Sequence, residues 1–491
     1  MSGCGRAGHA LESWPILLLV SIMLAPGLWI GPSLDASVFS TVGWRLSDGD
    51  VLYAEIWDHK PPGVYVPYVV AQVVTDDPTV AWGLVWALSA ASVLAMALVV
   101  RNILDGRGVG AWPRDVATLL AALGAAAYLL SLGGGLGETL ALAPMSLAVL
   151  AAIHRRWLIS GILAGTAVIV SVQVAPMILA ITVIGMAGER DGPAGRWLRV
   201  VAGGGVALAV TIALLALHGG LGSAFDAIVT YGAAYRAVSI EGASGSAWAV
   251  VPWAVLVLLP LLIGCGLTLI GRRQLADRRL ALACGLWLVG GVALIAFQGR
   301  FYAHYATPLV MPMALLTGFG LHAMKNRPSM VLAPLALAAG LSLAAGAAGA
   351  ADEQRMIVAS RDRVGAVAGE IGARGDDSLL LWGNDARLYE VAQLRPAMRY
   401  SYLYPLLTPG YATPELIDDV LASLAADPPR FVVDSGSVGP GAPGLPPLLL
   451  DRPVATDGRD LDLLDPLRDF VASHYELAEV VEGWPVYVRR D

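Results

Sequence analysis

Runs of apolar residues recur along the chain to about residue 350 and then stop. A helix needs about 20 mostly apolar residues to cross the hydrocarbon core of a bilayer. On that measure the pattern predicts about eleven spans, at 14–31, 79–100, 116–132, 139–153, 158–174, 175–188, 200–217, 248–271, 280–297, 306–323 and 328–349. The runs 139–153 and 175–188 are the shortest, and no polar loop parts 158–174 from 175–188. Gln173 and Pro176 mark the turn there. A further apolar run, 63–75, has only 13 residues. It reads as a helix lying in, or dipping into, the membrane interface. The first run carries Ala25-Pro26-Gly27, which also fits a signal-peptide cleavage region. Its length, and the polar loop that follows at once, favour a span.

Beyond 350 the pattern changes. Leu379–Trp382 and Phe431–Val433 read as short buried strands, 413–425 as a helix, and Ser435–Pro447 as a loop rich in Gly and Pro. The segment 350–491 holds 13 Arg against 23 Asp and Glu, charge that reads as a solvated surface. The expected fold is therefore an α-helical polytopic membrane protein with a small C-terminal α/β domain. Residues 1–349 form the membrane domain, with a first outer loop at 32–62 that carries interfacial helices, and 350–491 the extracytoplasmic domain.

Composition narrows the class. Only 14% of the 491 residues are charged and 56% are hydrophobic, whereas soluble domains carry about 25% charge. That excludes an ordinary cytoplasmic enzyme and a disordered chain. A net charge of −7 excludes a protein that mainly binds nucleic acid. Of 32 basic residues only Lys60 and Lys325 are lysines. The cysteines are Cys4, Cys265 and Cys284, so no disulfide staples the C-terminal domain, and no Cys/His spacing matches a metal site. Basic residues gather in 101–115, 154–157, 189–199, 272–279 and 324–327. The positive-inside rule puts those loops in the cytoplasm. The N-terminus is then cytoplasmic and the C-terminal domain lies outside.

On the outer side most polar residues sit in the loop 32–62, with Asp35, Arg45, Asp48, Asp50, Glu55, Asp58, His59 and Lys60. A connector is usually 2–8 residues, so about 30 argues for function. Asp35 follows the first span directly and would lie at the interface, where ionisable groups are commonly functional; it also fits the N-cap of a helix starting at Ala36. Lys60 precedes Pro61-Pro62, which stiffen the backbone and hold its cation in place. That suits a lipid phosphate, although a lysine snorkelling at the boundary fits too. The turn Gly133–Gly137 ends in Glu138 at a helix start, and Gln298–Tyr305 concentrates Arg300, Tyr302, His304 and Tyr305. Simple helix-end electrostatics and an interfacial aromatic belt are the structural alternatives there. Carboxylates can serve as general base toward an acceptor hydroxyl, cations can stabilise a departing phosphate, and aromatic rings can stack on a sugar.

With these residues in view, Asp35, the segment Gly49-Asp50-Val51-Leu52-Tyr53 and the motif Asp58-His59-Lys60-Pro61-Pro62-Gly63 together resemble the C-type superfamily of integral-membrane glycosyltransferases. Within it the sequence is most similar to the branch of the protein O-mannosyltransferases and the bacterial transferase that puts aminoarabinose on lipid A. Gly299–Tyr305 with Pro308 resembles the late outer motif of that branch, and Trp382-Gly383 with Arg430–Asp434 its outer α/β tail. The resemblance implies transfer of a sugar from a polyprenyl-phosphate-linked donor to an acceptor at the outer face, usually with inversion. It implies Asp35 as the catalytic carboxylate and Lys60 as a donor-phosphate ligand. Many members have an Asp-Glu pair where this chain has Asp35-Ala36, so the sequence does not support a divalent metal and implies no other cofactor. Gln173 stands where the family often has a basic residue.

The reading that follows is a hexosyl- or pentosyltransferase of the plasma membrane, involved in cell-envelope or cell-wall biogenesis. Asp35 acts as base, Lys60 and Arg300 bind donor phosphate, and Asp58, His59, Glu138, Tyr302, His304 and Tyr305 position donor or acceptor. Its partners are the lipid-linked donor, a glycan, lipid or protein acceptor, and the bilayer. The alternatives are a transporter or lipid flippase, or an inactive assembly scaffold. Transport sites favour buried charges near the midplane, whereas here the spans are nearly free of charge.

Overall fold

The computed structural model describes residues 14–186, 192–372, 377–436, 448 and 462–490. Most of the expected loop Ser435–Pro447, together with Cys4, lies outside them. Among the described residues, six helices are long and apolar enough to cross a membrane: Pro78–Gly106, Pro193–Leu217, Val250–Ile270, Arg278–Gln298, Ala303–Ala323 and Pro328–Ile371. A seventh crossing arises if Trp14–Ile30 and Leu34–Ser47 count as one broken span. The chain is a multi-pass membrane protein. Length and composition do not confirm eleven crossings, because four expected spans are shorter helices or helix pairs. Gly137–Ile153, Trp157–Val170 and Val172–Gly185 have fewer than 18 residues, and the run at 116–132 breaks after Ala126. The turn expected at Gln173 and Pro176 is present: Ser171 caps a short 3₁₀ turn, Val172–Val174, and Pro176 precedes helix Met177–Gly185.

The chain divides into two compact units. The first comprises 1–29, 85–211 and 243–351. Helix Ala303–Ala323 is buried almost throughout, as the centre of a bundle must be. Pro193–Leu217 leaves Leu198, Val201, Val206 and Leu208 exposed, a face that only lipid tails would cover without cost. Small residues bring helices close. A Cβ on Gly161 would lie 2.1 Å from the Val200 carbonyl oxygen, so no larger residue fits there.

The second unit comprises 30–84, 212–242 and 352–491. Its sheet has the order β2-β1-β3-β5-β4. The strands are β1 (Ser378–Trp382), β2 (Arg395–Pro396), β3 (Phe431–Asp434), β4 (Tyr475–Val481) and β5 (Trp484–Arg489). β1 runs parallel to both β2 and β3, and all five of its residues are buried, the pattern of a strand covered on both faces. β4 and β5 form an antiparallel hairpin. Its two-residue turn, Glu482-Gly483, has φ of 47° and 84°, as the twist of a tight hairpin demands. The edge strand β4 exposes Glu476 and Glu479, and such charges discourage pairing with other chains. The expected strands and the helix Pro414–Ala426, capped by Thr413, are present.

The same unit holds the loop 32–62 and the run that follows it. Pro62–Val64 and Val66–Val74 are helical. Tyr68, Ala71 and Gln72 face inward, while Val66, Val70, Val73 and Val74 are exposed. That outward apolar face fits an interfacial helix.

Candidate active site

Helix Leu34–Ser47 starts where the apolar run is broken by Gly31, at φ 96°, and Pro32. Its N-cap is Ser33, whose hydroxyl accepts from the Ala36 N–H at 3.2 Å. This corrects the expectation that Asp35 caps a helix starting at Ala36. Asp35 lies inside the first turn, where the helix dipole favours a negative charge. Its carboxylate makes no hydrogen bond or ion pair among the described residues. A second acid, Glu353, feels its charge. Glu353 sits on helix Pro328–Ile371 beyond the apolar stretch that ends near 349. Burial, and after it the Asp35 charge, pushes its carboxyl up to about 7.

The helix bearing Asp35 is tied down from one side. Ser40 Oγ donates to Glu390 Oε1 at 2.7 Å, and Gln72 Nε2 donates to the same oxygen at 2.9 Å. Thr41 Oγ1 donates to the Ala386 carbonyl at 3.1 Å. Next to Ala386, the Arg387 guanidinium grips the buried Asp385 carboxylate through two bonds of 2.7 and 2.6 Å. A buried polar group without partners would cost stability; here each fixes an element.

The far end of the loop is different in kind. Arg45 is buried and forks onto Asp50 with two bonds of 2.8 Å, with a third of 2.8 Å to Asp48. Glu55 accepts from the Val51 N–H at 2.7 Å. Asp58 is 1% exposed. Tyr65 Oη donates to its Oδ2, and Tyr402 Oη and the His59 N–H donate to its Oδ1, all at 2.7 Å. Burial by itself raises the Asp58 carboxyl, but the bond and charge of His59, the Lys60 charge and the Tyr402 bond outweigh it and hold it at about 2. Asp58 is therefore an ionised anchor that shapes the turn entering Lys60. Tyr53 completes that turn. It is fully buried with φ 69°, a rare conformation for a bulky residue and a mark of functional loops. Its hydroxyl donates to the Lys60 carbonyl at 2.8 Å. The Lys60 side chain stays partly exposed, with the backbone beneath it set by Tyr53 and Pro61.

His59 belongs to an aromatic group that sequence reasoning missed. Its ring lies 5.2 Å from both Tyr231 and Tyr235, and Trp57, Tyr402 and Tyr411 pack around them. Tyr402 stands more than 300 residues from Asp58 in the chain, so no local pattern points to it. Tyr231 and Tyr235 did carry a signal, four residues apart in a stretch otherwise poor in aromatic residues.

The remaining expected residues belong to the first unit. Gly133, Gly134 and Gly135 all take positive φ, and the turn delivers Glu138 to the first turn of helix Gly137–Leu140. Glu138 is buried and accepts from Ser171 Oγ at 3.2 Å. Arg300 donates to Tyr302 Oη at 2.9 Å. The Tyr302 and His304 rings stack at 5.4 Å with 9° between planes, and Tyr305 meets His304 edge-on at 4.9 Å. Gln173 Nε2 donates a hydrogen bond to Gln298 Oε1 at 2.6 Å. The structure thus groups Asp58, His59 and Lys60 in one turn, and Arg300, Tyr302, His304 and Tyr305 in another. No cluster of three or more His, Cys, Asp or Glu suited to a metal occurs among the described residues.

No protein-family model matches the sequence, and no curated protein matches it. Solved structures do. The crystal structure of ArnT from Cupriavidus metallidurans in the apo state superposes with a TM-score of 0.57 at 14% identity, over 97% of this chain and 98% of that one. The same protein bound to undecaprenyl phosphate gives 0.57 and 14%, over 98% of both chains. At that identity the likeness establishes a shared fold across nearly the whole chain, and it is the fold expected from the motif at Asp58–Gly63.

Proposed function

We propose that the chain is a membrane glycosyltransferase that moves a sugar from a polyprenyl-phosphate-linked donor to a hydroxyl of a cell-envelope glycan, lipid or protein at the outer face of the plasma membrane. The observation that carries this reading is the contrast within one loop. Asp35 presents an uncommitted carboxylate at a helix start, while Lys60 is held by a turn that spends Asp58, Tyr53 and two prolines on its placement. A base and a phosphate-binding cation on one rigid scaffold are what glycosyl transfer from a lipid phosphate requires. The fold shared with a protein described in complex with undecaprenyl phosphate supports a carrier of that class.

In this reading Asp35 takes the proton of the acceptor hydroxyl as its oxygen attacks C1 of the sugar. The bond from C1 to the phosphate oxygen breaks, the configuration at C1 inverts, and the lipid phosphate leaves with the electron pair. Lys60 neutralises the departing phosphate, and Arg300 is assigned the same chemistry because its planar guanidinium suits phosphate. Asp58 acts through the turn it anchors. His59, Glu138, Tyr302, His304 and Tyr305 are assigned to positioning donor or acceptor.

The test is transfer from radiolabelled polyprenyl-phosphate sugars, hexose and pentose, to a crude envelope fraction by the purified protein in detergent. Asp35→Asn is expected to lower the rate by about 10²- to 10⁴-fold. Lys60→Ala is expected to raise the KM for donor roughly tenfold or more. Undiminished transfer by the Asp35 variant would remove Asp35 as the base, and Glu138 would be tried next. A wild type that transfers none of the sugars would favour a transporter or a scaffold.

A further inference from the structure

The helix that carries Tyr231 and Tyr235 is preceded by five residues of π-helix, Asp226–Thr230. Such segments widen one turn, re-phase the side chains that follow, and concentrate at functional sites. Here the re-phased residues are two tyrosines four apart, which share one helix face. Tyr231 is fully buried and locked in place. Trp57 meets it edge-on at 4.9 Å and 90°, Tyr411 at 5.0 Å and 84°, and Thr408 Oγ1 donates to its hydroxyl at 3.4 Å. Tyr411 is itself fixed by a 2.6 Å bond to Asp226, inside the π-helical turn. Tyr235 stacks on this base at 5.6 Å and 27° and remains partly exposed, as does His59 beside it. The 42° between the His59 and Tyr235 planes makes a shallow aromatic angle rather than a closed core. Every inner ring is braced, and only the outer two reach the surface.

Position assigns a ligand to this angle. His59 directly precedes Lys60. In a lipid-linked donor the sugar is bonded to the phosphate through a single oxygen, so a phosphate bound at Lys60 would bring its sugar to this turn, where His59 is the next residue in the chain. A sugar ring presents an apolar face of C–H groups that packs on the negative face of an aromatic ring. We propose that Tyr235 and His59, backed by Tyr231, form the shelf on which the donor sugar stacks, and that Tyr235 is a specificity-determining residue for the sugar rather than for the lipid. The proposal rests on the glycosyltransferase reading above.

The experiment separates the two. Binding of bare polyprenyl phosphate and of polyprenyl-phosphate hexose and pentose is measured for the wild type, Tyr235→Ala, Tyr235→Phe and Lys60→Ala in detergent. The wild type is expected to bind at least one sugar-bearing lipid roughly three- to tenfold tighter than the bare one. Tyr235→Ala should erase that ratio and leave bare-lipid affinity unchanged, which also shows that the variant is folded. Tyr235→Phe should keep the ratio, and Lys60→Ala should weaken every lipid alike. A ratio that survives in Tyr235→Ala, or a wild type that binds bare and sugar-bearing lipids equally, overturns the shelf while leaving the enzyme reading standing. A wild type that binds none of the lipids overturns the reading, and the shelf falls with it.

Discussion

The two ends of the segment 32–62 treat their carboxylates in opposite ways. Near the C-terminal end Asp58 is buried and both of its oxygens are taken by Tyr65, Tyr402 and His59. At the N-terminal end Asp35 has no hydrogen bond at all among the described residues, and the capping task that would have occupied it falls to Ser33. A carboxylate whose lone pairs are filled has become part of the scaffold. One left without internal hydrogen bonds keeps its lone pairs open to another molecule. The difference teaches that the count of charges in a functional loop says little until the internal partners are subtracted. Arg45, Asp48, Asp50, Glu55 and Asp58 all drop out of the chemistry that way.

The comparison can be broken by two substitutions. Asp35→Asn is expected to abolish most transfer yet leave unfolding within about 0.5 kcal/mol of the wild type, since no internal bond is lost. Asp58→Ala strands two buried hydroxyls and a backbone N–H, and is expected to cost about 3–5 kcal/mol. Thermal or denaturant unfolding in detergent reads both. An Asp35 variant that unfolds early, or an Asp58 variant as stable as the wild type, would reverse the assignment of roles.

The dependence of stability on pH sharpens it next. Burial raises the Glu390 carboxyl from its ordinary 4.5 to about 7, against the opposing Ser40 bond. The folded state therefore holds this proton more tightly than the unfolded one. Its contribution is complete below pH 4.5 and is lost as the pH rises through 7, by about 3 kcal/mol. Asp58 has the opposite sign. Its carboxyl falls from 3.8 to about 2, so its contribution is present above pH 3.8 and is lost as the pH falls through 2. Unfolding measured between pH 4.5 and 8 should show a decline in the wild type that Glu390→Gln reduces, the remainder belonging to Glu353, which burial raises to about the same value. A slope unchanged in that variant would place the titrating group elsewhere.

The smallest expected effect concerns Tyr53. Tyr53→Phe removes one hydrogen bond to the Lys60 carbonyl and is expected to cost about 1 kcal/mol. It should raise the KM for donor about threefold with kcat little changed, because the lysine loses placement and keeps its charge. Steady-state kinetics with varied donor decide it, and an unchanged KM would mean that the prolines alone set the turn.

Much of this molecule was written in the order of its residues. Apolar runs of span length, their end near 350, the strands at Leu379–Trp382 and Phe431–Val433 and the helix after Thr413 all depend on local periodicity, which a sequence displays directly. The residues of the two motifs, Asp58-His59-Lys60-Pro61-Pro62 and Arg300–Tyr305, were legible too, because each is a run of neighbours in the chain. The number of crossings was less legible, since breaks at Ser171 and Ala127 cut apolar runs into helices too short to pass by length. What only the tertiary structure decided is which charges remain for chemistry. Tyr402 reaches Asp58 from 344 positions away and Glu390 reaches Ser40 from 350, and the aromatic shelf draws on 57–59, 231–235 and 402–411. Hydrogen bonds and ring contacts act over a few ångströms of space regardless of chain separation, so the partners that commit one carboxylate and leave another open become visible only when the chain is folded.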